Sequence, residues 1–180
     1  MQWSKIKKRF EAQLADSLKG RMQVHTAEYR RNPLHIGRGW LVMDGHEIVS
    51  VEAPGFTLKI GGCQFNIPLH AHSTQELGRS IGDFLTLSIE EALASSNPLI
   101  LGLALLDRRV SKAQLRKLRG RQTGPFVALA LAAREYAEGL CSEPPTCPRC
   151  GISLLPLAAA NAVDSPRIGA NLGNKLKEER

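Results

Sequence analysis

The sequence predicts an α+β fold: an N-terminal helix, an antiparallel meander of about five strands, then a helical array covering one face of the sheet. Three observations predict it. Apolar residues recur with a helical period at the N-terminus and again after Pro68. Between about residues 22 and 67 they recur at every second position. Helices and strands that are segregated in this way along a chain are typical of α+β proteins. The 180 residues, 43% of them hydrophobic, suffice for one domain with its own core.

The first helix is expected to begin after Ser4, as its N-cap, and to end before Gly20. Apolar residues at steps of four form the stripe that this helix would bury against the rest of the fold. They are Ile6, Phe10, Leu14 and Leu18.

Two glycine turns set the register of the predicted sheet, which begins with a strand from Met22 to Arg31. Asp44-Gly45 is typical of a type I′ hairpin turn, and Gly61-Gly62 marks a second hairpin. The first turn pairs Met43 with His46, Leu41 with Ile48 and Trp40 with Val49. The second pairs Ile60 with Cys63, Leu58 with Phe65 and Phe56 with Ile67, so that one face is apolar throughout.

Capping signals predict the helices that follow the sheet. Capping boxes are a serine or threonine followed three residues later by Glu or Gln, and proline is favoured at the first helical position. The predicted helix starts are Ser73 with Glu76, Ser88 with Glu91, Asn97-Pro98, Ser111 and Gly124-Pro125. The helices are expected to run from Leu77 to Leu85, Ile89 to Ser95, Leu99 to Leu106, Lys112 to Leu118 and Phe126 to Tyr136.

The C-terminal part has a different character. We expect residues 1–140 to form the α+β domain, residues 141–151 a cysteine-containing loop, and residues 152–180 a mobile tail without a lasting period. No apolar run reaches the roughly 18 residues of a membrane span, and the N-terminus lacks a secretory signal. Three of the four cysteines lie between Cys141 and Cys150, unlike a secreted disulfide framework. We therefore expect a cytoplasmic protein with no membrane partner.

Several segments carry a resemblance to a known group of proteins. They are Trp3-Ser4-Lys5-Ile6-Lys7-Lys8, Asn97-Pro98-Leu99-Ile100, Leu106-Asp107-Arg108-Arg109-Val110 and Arg134-Glu135-Tyr136-Ala137-Glu138-Gly139. With these segments, residues 1–140 resemble an uncharacterised family of small bacterial proteins. The resemblance implies a bacterial origin and the extent of the domain. It implies no activity and transfers no site.

Positive charge is concentrated in one segment, although the net charge of the whole chain is only +7. The segment contains no acidic residue and seven basic ones: Arg108, Arg109, Lys112, Arg116, Lys117, Arg119 and Arg121. In a helix, Lys112, Arg116 and Arg119 form one stripe, which suits nucleic-acid phosphates. The two apolar helices ahead of it give a helix-turn-helix-like outline.

The basic segment leaves three functions open. The first hypothesis is binding of DNA or RNA through the phosphate backbone, and the second is an adaptor role for an acidic protein. The third is a surface that only keeps the protein soluble. An enzyme stays a further alternative, since residues can converge in space without a local motif. The chain has no P-loop, nucleophile elbow, H-E-x-x-H or Rossmann fingerprint.

Cys147-Pro148-Arg149-Cys150-Gly151 is the sharpest short motif. Such a turn directs two thiolates to one point, as in zinc ribbons and knuckles. A closed zinc site needs more ligands, and Cys141 is the candidate for the third. Cys63 is expected to be a buried structural thiol on the apolar face of its hairpin. A redox dithiol and a loop without a ligand remain the alternatives to zinc.

Two histidines form a weaker candidate for metal binding. His70 and His72, with Glu76 on the next helix, offer two imidazoles and a carboxylate to a metal. The connection that follows Pro68 also suits ordinary polar loop residues, and this is the favoured interpretation.

Overall fold

A computed structural model describes residues 2–28, 37–52, 57–66, 76–119 and 124–155. In these residues an N-terminal helix is followed by five strands and then by five more helices. In chain order the elements are α1 (Trp3–Gln13), β1 (Met22–Glu28), β2 (Gly37–Met43), β3 (His46–Glu52), β4 (Thr57–Ile60), β5 (Cys63–Asn66), α2 (Glu76–Phe84), α3 (Ile89–Leu93), α4 (Pro98–Leu106), α5 (Lys112–Leu118) and α6 (Pro125–Ala137). The predicted α+β fold is confirmed.

Helix α1 is shorter than predicted, and Ser4 is not its cap. Gln2 stands at the N-cap without a side-chain cap bond. The helix ends at Gln13 because Leu14 turns to an extended conformation and pairs with Asp107. The amide of Ala15 donates to the carbonyl of Leu106 over 2.9 Å, which holds this crossing in place.

The apolar stripe predicted for α1 is nevertheless buried at three of its four positions. Phe10, Leu14 and Leu18 are each at most 1% exposed. Leu18 reaches the core from the turn after the helix, where its amide donates to the carbonyl of Ala15 over 2.8 Å. The prediction was therefore wrong about the end of the helix, because a tertiary pairing with the segment after α4 replaces its last turn.

The sheet is an antiparallel meander in the order β1-β2-β3-β4-β5. Asp44 and Gly45 have φ values of 50° and 81°, as a type I′ turn requires. Met43 pairs with His46, but a bulge then shifts the register, so that Leu41 faces Val49 and Trp40 faces Ser50. The predicted pairs of Leu41 with Ile48 and Trp40 with Val49 were wrong, because the sequence gives no sign of the extra residue that a bulge inserts.

The second hairpin has the predicted register. Leu58 lies opposite Phe65, and Ile60 lies opposite Cys63. Phe56 and Ile67, the third predicted pair, lie outside the described residues. Leu58 and Ile60 are fully buried, and Thr57 and Lys59 are only half-buried.

The helices cover the face of the sheet that carries Leu41 and Leu58. Helix α2 lies so close to β2 that a Cβ atom on Gly39 would be 2.8 Å from Cβ of Leu77. Helices α4 and α6 pack against each other, and most of their apolar residues are buried. None of the helices in the described part of the chain combines the length and the apolar character that a bilayer crossing requires.

Four of these helices begin at predicted positions, and α6 does so at Pro125 with Gly124 at its N-cap. Ser88 and Ser111 each form a capping box, with Glu91 and Gln114 respectively, and Asn97 accepts a hydrogen bond from the amide of Leu99. The predicted cap at Ser73 lies outside the described residues. So do residues 156–180, and the division into domain, loop and tail stays a prediction.

Candidate metal centre

The turn between β4 and β5 places Cys63 at the first position of β5. Gly61 and Gly62 have φ values of 55° and 81°, a left-handed conformation that side chains disfavour. Cys63 pairs with Ile60 across the hairpin, and its side chain shares the face that meets the core. Because β5 is the last strand of the described sheet, Cys63 is only half-buried.

Two other cysteines come from a tight loop after α6. The amide of Gly151 donates to the carbonyl of Cys147 over 2.9 Å, and the amide of Cys147 donates to the carbonyl of Ile152 over 2.8 Å. Thr146 and Ser153 form an antiparallel bridge that closes the loop. The chain therefore reverses between Cys147 and Cys150, which brings their side chains to the same side.

This loop lies directly on the β4–β5 turn. A Cβ atom on Gly61 would be 2.8 Å from Cδ2 of Leu154 and 3.1 Å from Cβ of Cys147, so only glycine fits there without displacing the loop. Leu154 is buried, and the guanidinium of Arg149 lies 4.6 Å from the ring centre of Phe65 on β5. Apolar packing and a cation–π contact thus hold the loop on the sheet.

The three thiols converge where the hairpin meets the loop. The Sγ atoms of Cys63, Cys147 and Cys150 all lie within 4.8 Å of one another, and none of these cysteines is in a disulfide. Cys147 is 1% exposed, Cys63 is half-buried and Cys150 is exposed. The cluster therefore has a buried base and one sulfur that faces solvent.

The backbone of the loop favours a thiolate at Cys147. Burial acts to raise the pKa of Cys147, but hydrogen bonds from the amides of Cys150 and Arg149, and from the neighbouring thiols, bring this pKa below its ordinary value. Amide groups directed at a sulfur in this way also support a metal-bound thiolate.

Cys63 is affected in the opposite direction. Its thiol is hydrogen-bonded to Cys150 and to Cys147, and these contacts, together with burial, raise the pKa of Cys63 to about 11. A proton shared among the sulfurs thus reduces the repulsion between neighbouring thiolates. A bound cation does the same more strongly, because it allows all three thiols to ionise.

The donor set matches a thiophilic metal. Zinc binds cysteine sulfur in tetrahedral sites, and thiolates select it over hard cations such as magnesium. The pair predicted from the sequence, Cys147 and Cys150, is brought together. The third sulfur in the described residues is that of Cys63 and not that of Cys141, which is not part of the cluster.

Tertiary docking explains why Cys63 was missed as a ligand. Its position on the core face of the hairpin was predicted, and a half-buried thiol there has an ordinary structural explanation. The contacts of Cys147 and Leu154 with Gly61, and of Arg149 with Phe65, bring the loop to that position. His70 and His72 lie outside the described residues, so the alternative site that they suggested stays a prediction.

The basic segment is partly neutralised by carboxylates. Nζ of Lys112 lies 3.1 Å from a carboxylate oxygen of Glu138, and Arg119 forms an ion pair with Glu135. Arg109 binds Asp107 over 2.9 Å. Two members of the predicted stripe, Lys112 and Arg119, are thus directed at the end of α6, because Glu135 lies in its last turn and Glu138 is its C-cap residue.

Three other basic residues of the segment form no ion pair within the described residues. Arg108, Arg116 and Lys117 are exposed, and within the described residues no carboxylate lies within 4 Å of them. Arg121 lies outside the described residues. The surface that these three exposed residues provide is smaller than the seven-residue one predicted from the sequence.

Comparison with known proteins shows the family of this chain. The model of the SF0329 protein family matches residues 2–70 and 64–135, so the chain belongs to that family. No curated protein and no solved structure matches the chain. Cys63 lies within the matched residues, whereas Cys147 and Cys150 follow them. No activity is established for the family.

Proposed function

We propose that this member of the SF0329 protein family binds zinc through Cys63, Cys147 and Cys150, and that the metal fastens the C-terminal loop to the sheet. A single observation carries the proposal: sulfurs from two segments that are distant in the chain lie within 4.8 Å of one another. Cysteines that serve only in packing need not lie close to one another, whereas the ligands of one metal ion must.

The proposed metal has a structural role. It links β5 to the segment that follows α6, and so closes a long loop of the chain. A site of this kind does not exist in the unfolded chain, and the free energy of metal binding therefore adds to the stability of the fold. Three thiolates and one Zn²⁺ together carry one net negative charge. The guanidinium of Arg149 in the same loop helps to balance it.

Elemental analysis of freshly purified protein tests the proposal. We expect about one zinc per chain, bound through the three cysteines. Cys63→Ser should lower the zinc content sharply, because it removes a ligand of the cluster. Cys141→Ser is the matched control, since Cys141 lies outside the cluster, and it should keep its zinc. A zinc-free protein after reconstitution under reducing conditions, or equal losses in the two variants, contradicts the proposal.

The exposed part of the basic segment supports a second proposed role, binding of the phosphates of DNA or RNA. The observation that favours it is the exposure of Arg108, Arg116 and Lys117 without a carboxylate partner in the described residues. Positive side chains of this kind bind phosphates through ion pairing and counterion release, without contacts to bases.

Binding measurements on Arg116→Gln/Lys117→Gln test this second role. Affinity for duplex DNA should fall about equally for all sequences, and the salt dependence should flatten by roughly 0.9 per lost phosphate contact. Arg79→Gln, an exposed arginine on α2, controls for the general loss of positive charge. Stronger binding to polyglutamate than to DNA or structured RNA would favour an acidic protein partner instead, and no binding at low salt would end the nucleic-acid proposal.

A further inference from the structure

The three sulfurs of the cluster differ in their access to solvent. Cys150 is exposed, Cys63 is half-buried and Cys147 is 1% exposed. A peroxide that diffuses to the site therefore meets Cys150 first. Oxidation of cysteine depends on exposure and on thiolate character, and a nearby second thiolate converts the first product to a disulfide.

We propose that peroxide oxidises this site to a disulfide between Cys147 and Cys150, which expels the metal and so removes its link between β5 and the loop. The inference rests on the proposed zinc site and concerns its regulation. The two Sγ atoms lie within 4.8 Å of each other, on a loop that already reverses direction between the two residues. Cys63 lies within the same distance, but only Cys147 and Cys150 share one tight loop, so a bond between them needs no change in how the loop packs on β5.

The chemistry has two steps. The thiolate of Cys150 attacks one oxygen of hydrogen peroxide, the O–O bond breaks, and the products are a sulfenic acid and hydroxide. The thiolate of Cys147 then attacks the sulfur of that sulfenic acid and displaces a second hydroxide. Two sulfurs are each oxidised by one electron, both peroxide oxygens are reduced, and the electron balance closes without another reactant.

Cys147 is better suited than Cys63 to the second step. It lies on the same tight loop as Cys150, whereas Cys63 lies on β5, in another part of the chain. After the disulfide forms, Cys63 is the one thiolate of the cluster that remains. One sulfur cannot hold zinc against solvent, and the metal no longer joins β5 to the loop.

The experiment uses the full chain loaded with zinc and treated with equimolar hydrogen peroxide. Zinc release is followed with a colorimetric chelator, and disulfides are mapped by mass spectrometry after alkylation of free thiols. We expect one zinc released per disulfide formed, a bond between Cys147 and Cys150, and a free, alkylated Cys63. Reduction with dithiothreitol in the presence of zinc should restore the metal. Cys141→Ser should behave as the wild type, because Cys141 lies outside the cluster.

The outcomes separate the two proposals. Zinc that stays bound at about a tenfold excess of peroxide, under conditions where free glutathione in the same solution oxidises, overturns the switch but leaves the zinc site standing. A disulfide that includes Cys63 also overturns it, since that bond would link the loop to β5 covalently in place of the metal. Absence of zinc from the reduced protein overturns the metal site and the switch together.

Discussion

Nε of Arg134 in the last turn of α6 lies 2.9 Å from Oε1 of Glu138, the C-cap residue of that helix, and the two side chains are only 4% and 13% exposed. The same guanidinium donates to the carbonyls of Leu106, the last residue of α4, and of Asp107 and Val110, which follow it. Glu138 in turn accepts a hydrogen bond from Ser17 over 2.9 Å. This buried pair therefore joins α6 to α4 and to the turn before β1.

We expect Glu138→Gln to destabilise the fold by about 3 kcal/mol, because the variant leaves a buried guanidinium without its counter-charge. Urea denaturation of the two proteins measures the change in the free energy of unfolding. Asp16→Asn is the control, since the ion pair of Asp16 with Lys19 is largely exposed and its loss should have no measurable effect. Equal stability of Glu138→Gln and the wild type would show that the carbonyl contacts of Arg134 suffice.

The same carboxylate predicts a pH dependence. Burial acts to raise the pKa of Glu138, but hydrogen bonds from Lys112 and Ser17 and the charge of Arg134 bring it below the ordinary value. A carboxyl whose pKa is lower in the folded chain stabilises the fold above its unfolded pKa of about 4.3, and this contribution is lost as the pH falls through the folded value.

The difference in unfolding free energy between the wild type and Glu138→Gln should therefore be constant above about pH 6 and should shrink below about pH 4. Urea titrations at a series of pH values measure it. A difference that persists unchanged into acid would mean that the glutamate acts through its shape and not through its charge.

The register of the second hairpin predicts different responses at neighbouring positions. Leu58→Lys places a charge at a fully buried position and should cost more than about 3 kcal/mol or prevent folding. Thr57→Lys places the same side chain on the opposite face, next to Glu52 on β3, and should be tolerated. Circular dichroism and thermal unfolding of the two variants compare them, and equal damage at both positions would contradict the register.

Much of this fold could be predicted because it is specified locally. Alternation fixed the faces of β4 and β5, and the caps at Ser88 and Ser111 fixed the starts of α3 and α5. The errors have a common origin in tertiary contacts. The pairing of Leu14 with Asp107 shortens α1, and the bulge next to Leu41 follows no local pattern.

The candidate site follows the same rule. Cys147 and Cys150 were predicted as a pair because one tight turn contains both. Cys63 could not be added from the sequence, since its proximity depends on the loop that packs over Gly61. Likewise, Lys112 and Arg119 form a basic stripe in the sequence, and only the packing of α5 beside α6 brings Glu138 and Glu135 to them.

Two glycines of one turn offer a test of the contact between the hairpin and the loop that leaves every cysteine in place. Gly61→Ala and Gly62→Ala both put a side chain at positive φ, which costs about 1 kcal/mol in each case. They differ in their surroundings. A Cβ atom at Gly61 meets Leu154 and Cys147, whereas a Cβ atom at Gly62 has nothing within 4 Å.

We therefore expect Gly61→Ala to lower the affinity for zinc by about tenfold relative to Gly62→Ala, because it displaces Cys147 from Cys63. Competition with a chelator of known affinity measures both variants, and thermal unfolding with and without zinc shows how much stabilisation by the metal remains in each. Equal affinities would mean that the loop finds its metal-binding position without close packing on the turn. Weaker binding by Gly62→Ala than by Gly61→Ala would show that the conformation of the turn, and not its contact with the loop, positions Cys63.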